Sequence, residues 1–129
     1  MEHYPLRVYW EDTDAGGIVY YANYLKFAER ARTEALRAAG IEQSTLKERH
    51  GITIVVRRCE VDFLAPARLD DLLEVETQLQ TIRKVRMTMQ QVIRKATQEL
   101  ARLQVELACW DDALKPVRWP EEVVTALGK

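Results

Sequence analysis

The residues best suited to chemistry are gathered in Glu11-Asp12-Thr13-Asp14-Ala15-Gly16-Gly17. Two carboxylates, Asp12 and Asp14, stand on a glycine-bearing loop directly before a helical pattern. Unpaired backbone N–H groups at a helix start, reinforced by the helix dipole, favour a developing negative charge. A carboxylate beside them can attack a carbonyl carbon or draw a proton from water while the N–H groups hold the oxyanion. The same residues fit a plainer role, because acidic side chains cap helices and Asp-Gly loops form turns. Spacing alone leaves both readings open. His3 and His50 lie far apart, so no metal-ligand cluster is expected. Cys59 and Cys109 form no CxxC and imply no disulfide framework.

The elements that must position this loop follow from periodicity. Leu6 to Trp10 is an extended run rich in β-formers. A helix is expected from Tyr21 to Ala39, with Tyr21, Tyr24, Leu25, Ala28, Ala31, Ala35 and Ala39 on its apolar stripe and Gly40 as its stop. A short helix or turn covers Ser44 to His50. Strands follow over Ile52–Val56, continuing through Cys59–Phe63. The sets Leu73/Val75/Thr77/Leu79/Thr81, Val85/Met87/Met89/Gln91/Ile93 and Ala101/Leu103/Val105/Leu107/Cys109 then alternate with polar residues. Such alternation marks long antiparallel strands with one buried face. Only the Tyr21–Ala39 helix is long enough to cover that face, so the expected architecture is α+β, a five-stranded antiparallel sheet curled around a central helix. Its exposed edges favour pairing of two copies.

The chain has 129 residues and a formal net charge of −1, which fits one domain over 1–129. The balanced charge argues against a nucleic-acid partner. No apolar run reaches the length of a membrane span. The N-terminal residues lack the basic and apolar regions of a secretory signal, and together with unpaired cysteines this places the expected site of action in the cytoplasm.

The run from Tyr9-Trp10-Glu11-Asp12-Thr13-Asp14-Ala15-Gly16-Gly17 through Ile18-Val19-Tyr20-Tyr21-Ala22-Asn23-Tyr24-Leu25 to Glu29-Arg30-Ala31-Arg32 resembles the signature of the 4-hydroxybenzoyl-CoA thioesterase family, which has the hotdog fold. Val55-Val56-Arg57 and Ala65-Pro66-Ala67-Arg68-Leu69-Asp70-Asp71 also fit its branch of acyl-CoA thioesterases associated with the Tol–Pal envelope system. The resemblance implies hydrolysis of an acyl-CoA, with Asp14 as nucleophile or general base and the backbone N–H of Tyr21 as oxyanion donor. Gly17 would support the loop, and Tyr20 and Asn23 would lie toward the substrate, with Asn23 alternatively capping the helix. Asp12 would hold the loop or cap. The Tol–Pal-associated branch usually has histidine at position 21, and a tyrosine there is a poor base at neutral pH. Arg83 and Lys84 match a basic triplet that binds the nucleotide phosphates in the hydroxybenzoyl branch, although its third position is Val85 and Arg86 is displaced by one. Coenzyme A enters as substrate, with no metal and no other cofactor implied. The family association implies a homo-oligomer, a dimer or dimer of dimers, with sites at the subunit interface.

Glu29 is the fallback carboxylate, since another hotdog branch uses a helix acid. Tyr9, Trp10, Tyr20, Tyr21, Tyr24 and Phe27 either line an acyl pocket or fill core and interface. Two rival functions share the fold. A hydratase or dehydratase needs a placed histidine, and neither His3 nor His50 lies in such a motif. A non-catalytic acyl-CoA or acyl-carrier-protein binding module, scaffolding lipid enzymes at the envelope, would not need Asp14.

Overall fold

A computed structural model of the chain describes residues 1–128. Its elements run β1 (Glu2–Arg7), a single 3-10 turn (Trp10–Asp12), α1 (Asn23–Ala38), α2 (Gln43–His50), β2 (Thr53–Phe63), β3 (Leu72–Ile82), β4 (Arg86–Lys95), β5 (Gln98–Trp110) and α3 (Glu121–Leu127). The strands form one sheet in the order β1-β3-β4-β5-β2, with every neighbouring pair antiparallel. The α1 helix lies against β1, β3 and β4, and α2 against β2. This is the expected hotdog arrangement. Among the described residues no helix is long and apolar enough to cross a membrane.

The period-two reading identifies the inner face of the sheet except at the β3–β4 end, where a bulge between Leu79 and Thr81 leaves Thr81 exposed and brings Ile82 against the core, and Val85 lies in the turn. Leu73, Val75, Thr77, Met87, Met89, Gln91, Ile93, Ala101, Leu103, Val105, Leu107 and Cys109 are all buried. They meet Tyr24, Phe27, Ala28, Ala31 and Leu36 of α1. Alanines at 28 and 31 let the helix sit close on the sheet.

Two expectations need correction at the boundaries. The first strand spans Glu2–Arg7 rather than Leu6–Trp10. Pro5 is tolerated within it because β1 is an edge strand. The chain turns at Tyr9–Asp12 because the Asp12 carboxylate accepts the Tyr9 N–H at 2.8 Å, which closes the backbone before a strand can continue. The α1 helix begins at Asn23, two positions after Tyr21, so Tyr21 and Leu25 are exposed rather than on the buried stripe. The C-terminal helix α3, which no sequence pattern announced, buries Val123.

A polar chain crosses the core. Gln91 is completely buried and donates from Nε2 to the Ala28 carbonyl and to Thr77 Oγ1, both at 2.9 Å. Its Oε1 accepts from Arg32 Nη1 at 2.9 Å. Desolvation holds the Arg32 guanidinium below the ordinary arginine range, against the opposing fields of Glu29 and Cys59. Helix and sheet are thereby fixed in one register by hydrogen bonds as well as by packing.

Candidate active site

The loop between β1 and α1 is a tight hairpin. Thr13 and Val19 form an isolated antiparallel bridge, Asp14 N–H donates to the Ile18 carbonyl at 3.1 Å, and Gly17 N–H donates to the Asp14 carbonyl at 3.0 Å. At its tip Asp14 is exposed. Asp14 Oδ1 accepts from the Gly16 N–H at 2.8 Å, which orients the carboxylate and leaves Oδ2 without a partner among the described residues. The glycines have separate duties. A Cβ on Gly16 would stand 3.1 Å from Asp14 Oδ1, while Gly17 has φ of 78° and open space around it. Gly17→Ala therefore strains the backbone without a clash. We expect a loss of about 1 kcal/mol in urea unfolding, because a left-handed residue with a Cβ costs roughly that much.

The segment Tyr20–Ala22 forms the entry to α1. Asn23, Tyr24 and Leu25 donate their N–H groups three residues back, to Tyr20, Tyr21 and Ala22. That leaves the N–H groups of Tyr21 and Ala22 without a partner among the described residues. The Tyr21 residue itself is 61% exposed. Two free amides at a helix start form a donor pair suited to an oxyanion.

Buried beneath the loop, Asp12 accepts from Tyr9 N–H at Oδ2 and from Asn23 Nδ2 at Oδ1, the latter at 3.0 Å. Asn23 is 7% exposed and donates from Nδ2 to Asp12, so it does not cap α1. The side chain points under the loop. Asp12 holds the loop, as expected.

Tyr21, Tyr24 and Phe63 enclose an apolar cleft of about 260 Å³ together with Ile18, Leu64 and Pro66. Tyr21 meets Phe63 edge-on with centroids 5.9 Å apart, and Tyr20 stacks obliquely on Tyr21 at 5.0 Å. The hydroxyl of Tyr24 accepts the Ala67 N–H at 3.0 Å. Desolvation, tempered by that hydrogen bond and reinforced by Asp71, pushes the Tyr24 phenol above its usual range, so it stays neutral. Of the expected aromatic cluster, Tyr24 and Phe27 are core, Tyr20 and Tyr21 stand at the cleft, and Tyr9 and Trp10 line a separate hollow with Leu69. Sequence reasoning passed over Phe63 and Leu64. Their only signal is an apolar pair at the end of a strand, just before Pro66.

The basic pair lies elsewhere. Arg83 and Lys84 occupy the β3–β4 turn, where the Lys84 carbonyl accepts the Trp119 N–H at 3.1 Å. The Asp14 loop lies at the other end of β3, since Arg7 pairs with Leu72 and Ile18 bridges to Arg68. The 11 residues of β3 separate the two by roughly 35 Å at about 3.4 Å per residue. One chain therefore does not bring Arg83 and Lys84 to its own Asp14. Glu29 is also apart, lining a hollow with Arg32, Gln43 and Val56. Across β1 and β3, His3 approaches Glu74 and Glu76, but Glu76 is already paired with Arg94 at 2.8 Å and the group is a surface ion-pair cluster.

Comparison with known proteins gives a consistent result. A model of the thioesterase-like superfamily matches residues 8–127. The acyl-CoA thioesterase YbgC of Haemophilus influenzae is 44% identical over 124 residues, which is 95% of this chain and 91% of that protein. The acyl-CoA thioester hydrolase YbgC of Escherichia coli O6:H1 is 41% identical over 94% of this chain and 91% of its own length. Among solved structures, a probable thioesterase from Bartonella henselae superposes with a TM-score of 0.88 at 36% identity, covering 92% of this chain and 98% of that one.

Proposed function

The chain belongs to the thioesterase-like superfamily, and on that premise we propose that it hydrolyses an acyl-CoA to a free carboxylic acid and coenzyme A, with Asp14 as the catalytic carboxylate. One observation carries this reading: an exposed, oriented carboxylate and two free helix-start N–H groups belong to one hydrogen-bonded segment. The YbgC relatives bearing acyl-CoA thioesterase names support the substrate class.

The thioester carbonyl oxygen sits on the Tyr21 and Ala22 N–H groups, which gain strength as the oxygen becomes an oxyanion. As nucleophile, Asp14 adds through Oδ2 to the carbonyl carbon, the C–S bond breaks, and water then hydrolyses the mixed anhydride. As general base, it takes a proton from the water that adds, and coenzyme A leaves as a thiolate that is reprotonated. The donor at position 21 is backbone, so a tyrosine side chain serves where a histidine would. Its ring instead walls the apolar cleft, which takes the acyl group. Gly17 and Tyr20 shape the approach. No metal or cofactor has a part in these steps.

A homo-oligomer completes the site. Arg83 and Lys84 bind the nucleotide phosphates of a substrate held by a neighbouring copy. The outer edge of β2 suits the pairing, because it is a long sheet edge that an antiparallel second copy would satisfy. Cys59 and Cys109 are free thiols, which fits a reducing cytoplasm.

Release of coenzyme A thiol from acetyl-, butyryl-, hexanoyl-, palmitoyl- and benzoyl-CoA tests the proposal. Steady turnover with a preference among acyl groups is expected. Tight binding without turnover on any of the five would leave only a binding module.

A further inference from the structure

The buried pair beneath the loop does more than fill space. Three hydrogen bonds close a ring: Tyr20 N–H donates to the Asp12 carbonyl at 2.9 Å, Asn23 N–H to the Tyr20 carbonyl at 2.8 Å, and Asn23 Nδ2 back to Asp12 Oδ1 at 3.0 Å. Asp14 lies on the chain between the first two members, Asp12 and Tyr20. Tyr21 and Ala22, with their free N–H groups, lie between Tyr20 and Asn23. The ring thus ties the carboxylate-bearing hairpin to the donor-bearing turn. From this we infer that Asp12 and Asn23 are a positioning pair, which sets the catalytic carboxylate against the oxyanion donors without touching substrate.

Three features distinguish this pair from ordinary capping or packing. The N-cap of α1 is Ala22, which provides no side-chain cap, and Asn23 directs its amide across to Asp12 instead of to its own helix. Asp12 and Asn23 are 5% and 7% exposed, so water does not compete for their bond. Asp12 forms no ion pair among the described residues; its carboxylate is met by two neutral donors, Tyr9 N–H and Asn23. A carboxylate is the side chain whose two oxygens both accept, which is what two donors on opposite sides require. Burying a charge on neutral donors alone is costly, and hydrophobic residues would pack there more cheaply. What the carboxylate gains is a fixed geometry, and catalysis is steeply sensitive to displacement at this scale.

The inference rests on the thioesterase reading, and its test separates the two. Asp12→Ala removes both acceptors; Asp12→Asn alone is no test, since the Asn23 amide can turn over and offer its Oδ1 to the new NH2. Asn23→Asp sets carboxylate against carboxylate. The double exchange, Asp12→Asn with Asn23→Asp, restores the pattern, because the amide at position 12 accepts from Tyr9 and donates to the carboxylate at position 23. Asp12→Ala and Asn23→Asp, the two single variants, are each expected to lose about 30-fold in kcat with KM within about twofold, as a misplaced catalytic group does. The double variant should recover to within about fivefold of wild type. Amide hydrogen exchange supplies a readout independent of turnover: residues 13–22 should exchange faster in the single variants and slow again in the exchanged pair, with β5 unchanged. Should Asn23→Asp fail to fold, Asn23→Ala removes the same bond without opposing two carboxylates and should lower kcat about tenfold. Unchanged kcat in the folded single variants overturns the inference, as does a folded double variant that recovers neither kcat nor loop protection. Absence of turnover in wild type overturns the thioesterase reading instead, and the exchange data still decide whether the pair holds the loop.

Discussion

Asp14→Asn is expected to lower kcat/KM for the best acyl-CoA by at least ~100-fold, the scale of removing a catalytic acid–base group or nucleophile. The substitution is nearly isosteric. An asparagine oxygen still accepts the Gly16 N–H that now meets Asp14 Oδ1 at 2.8 Å, so the hairpin keeps its shape. The side chain is exposed, and no ion pair depends on it among the described residues. Folding stability should therefore stay within about 0.5 kcal/mol of wild type, as for surface substitutions away from packed features. What disappears is the negative charge, and with it both routes, since an amide neither attacks a thioester efficiently nor accepts a proton from water. Thiol release by wild type and variant, with urea unfolding of both, makes the comparison. Turnover that survives the change would transfer the role to another carboxylate, and Glu29 on α1 is the first to examine.

The second large effect concerns stability. Gln91→Leu keeps the volume at the centre of β4 but strips three hydrogen bonds at once, to Arg32, Ala28 and Thr77. The Ala28 carbonyl keeps a possible helical partner, and Thr77 loses a donor. Arg32 fares worst, being 9% exposed with no carboxylate in contact among the described residues. Losing a hydrogen bond to a charged group costs about 1.5–3 kcal/mol, and an unmet buried polar group about 1–3. Arg32 borders a hollow and can turn partly toward water, but three bonds go at once, so about 3 kcal/mol is expected, at the upper end of that first range. Urea unfolding at one fixed protein concentration gives the value, because assembly contributes to apparent stability. Adding Arg32→Met should restore part of the loss, since the stranded charge is then gone. A Gln91→Leu protein as stable as wild type would mean that packing alone holds α1 to the sheet.

The same residue shows where sequence reading stops. Alternation with Met87, Met89 and Ile93 placed Gln91 on the inner face, and it is there. Nothing in its neighbours along the chain names Arg32 as its partner, because that contact joins positions 59 apart. The sheet was legible for the same reason as Gln91's face: period two is a local property. The Tyr9–Trp10 boundary was not, since strong β-formers yielded to a hydrogen bond from the Asp12 carboxylate. Asp14 and Tyr21 were marked by a long motif, and the free N–H at Tyr21 is consistent with the role that motif implied. Asn23 sat inside the motif, yet its partner depends on how the loop folds beneath the helix. The separation of Arg83 and Lys84 from Asp14 follows from strand length, which sequence did supply, together with strand direction at the β1–β3 pair, which it did not.

That separation has a genetic consequence. On the proposed mechanism no subunit supplies both ends of the site it reacts in: the loop comes from one chain and the phosphate-binding turn from another. A chain with Asp14→Asn and a chain with Arg83→Ala and Lys84→Ala are then defective in different halves of the machine. Co-expressed, they form mixed assemblies in which an intact loop meets an intact turn, and activity returns through intragenic complementation although neither parent has it alone.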